Sequence, residues 1–294
     1  MDDLHDKVAV VTGAGSGIGR ALAQRFAFEG MRLAVADVEA DALDETVALL
    51  LDAGAQVLAR PTDVTDAADV AELAADVYDR FGAAHVLCNN AGVFAGGLLW
   101  ELDDATVDWV LDVNVRGILH GVRAFVPRML AGGEPGHVVN TASSAGIFGS
   151  PYTGPYTVSK FAAVGMSEVL AWDLSISGAP IGVSVLCPGA VATRIGFSDR
   201  NRPAEVEADK ACANDDPTPR PVPAAVPPPS SPGRCATRPP RASDRRWWRT
   251  MWSTPSAPTG SWSSRATATP RRCGPHRRPA RRGAPAADRL HLTA

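Results

Sequence analysis

Six short, nearly unbroken apolar runs recur along the first two-thirds of the chain, separated by stretches of ten or more helix-compatible residues. The runs are KVAVVTG, MRLAVAD, AQVLARP, AHVLCNN, HVVNTAS and IGVSVLC. Strands that are apolar on both faces belong in a parallel sheet, whose crossover helices cover it on both sides. The pattern therefore predicts an α/β fold, a doubly wound parallel sheet in three α/β/α layers. It also predicts helices over about residues 17–29 and 40–53.

The 294 residues, 45% of them hydrophobic, suffice for one such domain with a full core. The N-terminal MDDLHDKVAVVTGAG has neither the basic start nor the apolar run of a secretory signal. No stretch approaches the ~18 uninterrupted apolar residues of a membrane span. Five widely spaced cysteines with no CxxC pair suit a reduced compartment, so a cytoplasmic protein is expected. His85, His120 and His137 lack metal-ligand spacing, and no metal is expected.

The first strand gives way to the first helix at TGAGSGIG, residues 12–19. Gly13 permits a tight turn, Gly17 lets backbone approach a pyrophosphate, and Gly19 lets the helix pack closely. The helix N-terminus then offers free N–H groups to the phosphates. Asp37 ends the second run, where a carboxylate accepts the ribose hydroxyls of an adenosine and repels a 2′-phosphate. NAD is accordingly expected in preference to NADP.

Tyr156 and Lys160 lie four residues apart, one helical turn on one face. A free phenol has a pKa of about 10, too high for a base near neutrality. A neighbouring ammonium would lower it and let the phenol exchange a proton with a substrate hydroxyl or carbonyl.

With these pieces in order, the chain resembles the short-chain dehydrogenase/reductase family from about residue 7 to residue 195. The resemblance rests on the TGxxxGxG loop, NNAG at residues 89–92, Asn114 within NVRG, Ser143, Tyr156, Lys160, and the Pro188–Gly189 pair. It implies a Rossmann-type NAD(H) site with catalysis built in. Ser143 would bond the substrate oxygen, and its neighbour Ser144 is the bland strand-end hydroxyl. Lys160 would also hold the nicotinamide ribose, and Asn114 would help hold a water in a proton relay. Asp63 would meet the adenine, Asn90 would line the cleft, and Thr193 would reach the carboxamide. Ser16, Ile18, Val64, Pro188 and Gly189 complete the expected cofactor contacts. Taken singly, Asp63 is equally a helix N-cap, Asn90 a strand-end brace, and Asn114 a polar residue that kinks a helix.

The segments expected around the substrate are residues 93–100, residues 147–155 and the stretch after Pro188. They are apolar or small and carry Phe94, Trp100, Phe148 and Phe197. That favours a hydrophobic secondary alcohol or ketone. An NADPH-dependent carbonyl or 3-oxoacyl reductase is the enzyme alternative, and an NAD-sensing binding protein the non-enzyme one. The expected partners are a small-molecule substrate and further copies of the chain, as a dimer or tetramer. Neither a nucleic acid nor a membrane is expected.

The composition changes near residue 211, which sets the boundaries at 1–210 and 211–294. The second part holds fifteen Arg, no Lys and four Asp, a net charge of +11 that leaves −14 for the first part. It also holds sixteen of the 24 prolines and shows no periodicity. Two readings stay open, a disordered basic tail and the product of a shifted reading frame in a GC-rich gene. The second is preferred, because Arg without Lys, with scattered Trp, matches no binding pattern. Read two bases later, residues 251–264 can encode VVDAVRTDRFLVL, a helix end, a turn and a strand.

Overall fold

The central strand β1 (Val8–Thr12) is buried along its whole length, as a strand with neighbours on both edges and helices on both faces must be. The computed structural model describes residues 3–204. Around β1 run β2 (Arg32–Asp37), β3 (Val57–Pro61), β4 (Val86–Asn89), β5 (Gly136–Thr141) and β6 (Ile181–Leu186). All pair in parallel, in the order β3-β2-β1-β4-β5-β6. Each of the six apolar runs is one of these strands.

Side chains alternate across the sheet, so each strand feeds two cores. Helices α1 (Gly17–Phe28) and α2 (Ala40–Asp52) cover one face, burying Leu22, Phe26, Leu43 and Leu50 on Ala9, Val11, Leu33 and Val35. On the other face lie α3 (Ala67–Phe81), α5 (Gly117–Gly132) and α6 (Gly154–Ile176). They bury Leu73, Val77, Phe125, Met129 and Leu174 on Val8, Val10, Leu87, Val138 and Ile181. The three-layer, doubly wound Rossmann architecture is as expected.

The strand order reverses at β1, with β2 on one side and β4 on the other. The C-terminal ends of these strands diverge there, and a crevice opens. One feature of α4 (Asp104–Leu111) was not expected. It runs into α5 through a single π-helical turn, Asp112–Arg116, which carries Asn114. The extra residue in that turn swings Asn114 inward, where it is fully buried. The reading of residues 211–294 lies outside the described residues.

Candidate active site

The crevice is a cleft of about 460 Å³. At one end the glycine loop leaves β1. Gly13 and Gly17 both have positive φ, +65° and +54°. A Cβ at Gly13 would stand 2.7 Å from the Ala91 backbone, and one at Gly17 would press on Thr193 at 2.9 Å. At Gly19 it would fall on the Gly13 carbonyl, so the first turn of α1 rests on the end of β1. Ser16 is the N-cap of α1 with its hydroxyl unused in capping, and Ser16 and Ile18 line the cleft. The loop thus offers bare backbone and a helix N-terminus to a nucleotide diphosphate.

Asp37 stands beside this loop in a fixed orientation. Its carboxylate accepts the N–H groups of Gly15 (2.8 Å) and Glu39 (3.0 Å), and it lines the cleft. Gly15 was missed as a site residue. A Cβ there would reach the Asp37 carboxylate at 2.8 Å, so only glycine lets loop and acid meet. Asn90 both lines the cleft and braces it, donating to the carbonyls of Thr12 (3.0 Å) and Gly13 (3.3 Å). Asp63 is not a helix cap. It closes a turn on Thr65, and Asp66 caps α3 instead. Val64 packs beside Gly117, and both Asp63 and Val64 line the cleft.

At the other end stand Ser143, Tyr156 and Lys160, all lining the same cleft. Ser143 ends the chain segment that follows β5, and its hydroxyl accepts from the N–H of Ala145 (3.1 Å) on the same wall of the cleft as the Tyr156 phenol. Pro155 starts α6, which sets Tyr156 and Lys160 in its first two turns. The Phe94 ring meets Tyr156 edge-on, with centroids 5.1 Å apart. Lys160 is 2% exposed and donates to the Thr141 carbonyl at 2.9 Å. Burial pushes its ammonium down to about 8.

The expected effect of Lys160 on the phenol is not what the structure gives. Burial raises the Tyr156 pKa above its ordinary value, and the Ser143 hydroxyl opposes this only in part. The reason is position. The Lys160 nitrogen lies 5.6 Å from the Tyr156 ring centroid and is spent on the Thr141 carbonyl.

Asn114 links the two ends. Its amide donates to the Val93 carbonyl and the Ser159 hydroxyl, both at 2.9 Å, and accepts from the Val93 N–H at 2.8 Å. Ser159 in turn donates to the Tyr156 carbonyl at 2.7 Å. Asn114 thereby ties the loop after β4 to the turn of α6 that carries Tyr156 and Lys160, and the π-helical turn is what brings it within reach.

The roof comes from Pro188 onward. Pro188, Gly189 and Thr193 line the cleft, and a 3₁₀ segment, Ile195–Asn201, crosses it. Ser198, not anticipated, is buried there and accepts from the Phe94 N–H at 3.0 Å. Gly97 donates to the Tyr152 carbonyl at 3.0 Å, so the three expected substrate segments do meet. Trp100, Phe148 and Phe197 are all largely exposed along them. Among the described residues no group of three or more His, Cys, Asp or Glu could hold a metal, and no helix is long and apolar enough to cross a membrane.

A family model described as short chain dehydrogenase matches residues 7–203. A 1-deoxy-11-beta-hydroxypentalenate dehydrogenase of Streptomyces avermitilis is 44% identical over 192 residues, covering 65% of this chain and 70% of that protein. A C alpha-dehydrogenase of a Sphingobium species is 37% identical over 206 residues, or 70% of this chain and 67% of that one. Among solved structures, a short chain dehydrogenase/reductase from Burkholderia phymatum in complex with NAD superposes with a TM-score of 0.69. It is 45% identical and covers 73% of this chain and 79% of that chain.

Proposed function

The chain belongs to the short-chain dehydrogenase family of oxidoreductases, and from that premise we propose that it moves a hydride between NAD(H) and a hydrophobic secondary alcohol or ketone, with Tyr156 as the acid/base. The observation that carries this reading is the span of one cleft. Bare glycine backbone and the oriented Asp37 lie at one end of it, and Ser143, Tyr156 and Lys160 at the other.

Gly13 and Gly17 hold positive-φ backbone packed against Ala91 and Thr193 more closely than a side chain would allow, the bare turn that suits a dinucleotide. The chemistry supplied by NAD(H) there would be transfer of a hydride to or from its nicotinamide ring. Asp37 would hold the adenosine ribose, and its charge repels the 2′-phosphate of NADP. Lys160 would hold the second ribose and keep a positive charge under the site. Thr193 and Asn90 bound the cleft between them.

Ser143 hydrogen-bonds the substrate oxygen and orients it toward the Tyr156 hydroxyl. In reduction the phenol, which its raised pKa keeps protonated, gives its proton to the carbonyl oxygen; the reverse step needs the phenolate, so oxidation should gain with rising pH. The edge-on Phe94 and the burial of Tyr156 keep bulk water from that proton. The exposed Trp100, Phe148 and Phe197 supply apolar surface for the rest of the substrate. The name of the Streptomyces relative, a hydroxypentalenate dehydrogenase, supports a hydroxyl-bearing substrate.

A panel of hydrophobic alcohols and ketones, run with NAD and NADP in parallel, tests the reading. Tyr156→Phe should lose about 10²–10⁴-fold in kcat while still binding NADH, because only the proton-carrying oxygen is gone. Retention of more than about a hundredth of wild-type turnover would remove Tyr156 from its role. Asp37→Ala should weaken NAD and narrow its advantage over NADP. Tighter NADP than NAD in the wild-type protein overturns the cofactor assignment.

A further inference from the structure

The carboxylate two residues beyond Asp37 does something that ribose binding does not need. Glu39 is the N-cap of α2, yet its side chain makes no capping bond. It reaches instead to the far wall of the cleft. There it accepts from the Arg200 Nε at 2.8 Å and the Asn201 Nδ2 at 3.0 Å, with a second Arg200 nitrogen at 2.7 Å and Arg194 at 3.6 Å. These partners lie 155 to 162 positions away in the chain. Arg200 also donates to the carbonyls of Arg194 (3.0 Å) and Phe197 (2.7 Å), so its guanidinium knits the 3₁₀ segment together as well as anchoring it. Both partners are about three-quarters buried, and the Arg200 bonds hold the Glu39 carboxyl below the usual range.

The segment has two further anchors. Ser198 bonds the Phe94 N–H, and Arg202 bonds Thr106 at 2.8 Å while lying over the Trp109 ring at 4.7 Å. Both fix it to the β4 side of the crevice. Among the described residues, the Glu39 contact is what joins it to the β2 side, where Asp37 stands, and residues of both walls line the same cavity. At its start Thr193 already leans on Gly17. The segment is therefore a strap across the nucleotide cleft, hinged on one wall and tied to the other by a single ion-pair cluster.

We propose that Glu39 is a positioning residue that latches the strap Ile195–Asn201 over the bound nucleotide through Arg200, and so sets how fast the nucleotide leaves. The proposal rests on the reading of the cleft as a nicotinamide-nucleotide site. A charge-assisted, partly buried pair of this kind is stronger than an exposed one, and opening steps of this kind limit turnover in many enzymes.

The test is NADH release from the full chain, followed by displacement in a stopped-flow fluorimeter, with Kd measured alongside. Glu39→Gln and Arg200→Gln should each speed release by roughly three- to tenfold and raise Kd to match. The double variant should fall well short of the sum of the two, because the Glu39–Arg200 pair is lost in each case. Added salt should speed release from the wild type and leave the variants nearly unmoved. Release within twofold of wild type in both single variants overturns the latch, and so do additive effects in the double variant. A wild-type chain that fails to bind NADH is a different result, which overturns the reading of the cleft itself. Melting temperatures check that the variants fold, and Arg200→Gln stands in should Glu39→Gln not do so.

Discussion

Lys160 is a cation kept in the interior at a cost. Its nitrogen has one acceptor, the Thr141 carbonyl, and burial pushes it down to about 8 from an ordinary value of 10.5. An unfolded chain therefore holds the proton up to about pH 10, and the folded chain releases it near pH 8. Between those values the unfolded state binds more protons, so stability should rise with pH across that window and lie flat below it. Lys160→Met should abolish that rise and increase the melting temperature at pH 7, while removing activity. Calorimetry from pH 7 to 10 on both proteins checks this, and a falling wild-type curve would show that the ammonium is stabilised rather than strained. The one-turn spacing of Tyr156 and Lys160 was legible in the sequence, since it follows from helical geometry. The sign of the Tyr156 shift was not, because it depends on where the Lys160 nitrogen finds its acceptor. The Glu39–Arg200 pair was invisible for a related reason, as no local pattern marks partners on elements so far apart.

At the scale of elements, six strands and the first two helices read directly from apolar runs and their spacing. The π-helical turn at Asp112–Arg116 did not, because its composition is that of an ordinary helix and only the buried bonds of Asn114 to Val93 and Ser159 favour it. A second contact of this kind sits one turn further along, where α5 crosses β4 at Gly121. A Cβ there would land on the side-chain oxygen of Asn89, which is buried and bonded through its amide to Asn140 at 2.9 Å. Asn140 continues to Ser167 on α6, so this chain of polar groups ties two strands to the helix that carries Tyr156. Helix propensity alone would make Gly121→Ala stabilising by about 1 kcal/mol. Overpacking against the amide should cost about 2–3 kcal/mol, the upper part of the usual range, and leave a net loss of about 1–2 kcal/mol. Urea denaturation decides between them, and a gain in stability would mean that the Asn89 side chain can move aside.

For the whole molecule, the match to the family model ends at residue 203, and the two relatives compared are covered over 67–70% of their lengths. Within the described residues β6 is the edge of the sheet, with Ser184 and Val185 exposed on it. An edge strand in a parallel sheet is normally paired or covered by later chain. The later chain here is long enough, at 90 residues beyond the described ones, but its composition is that of neither strand nor helix. A shifted frame would account for both. Met251, Trp252 and Trp262 have single codons, and in the frame two bases on they still allow VVDAVRTDRFLVL, whose pattern would supply a helix, a turn and a further strand. A shift should appear as an inserted or missing base near codons 200–220 on resequencing the gene. The protein from the restored frame should then be more soluble than the 294-residue chain and more active by at least severalfold, since a further strand and helix could pair the sheet edge and roof the cleft. An unbroken frame, together with full activity of the 294-residue chain, would instead make the Pro- and Arg-rich segment a genuine part of the protein.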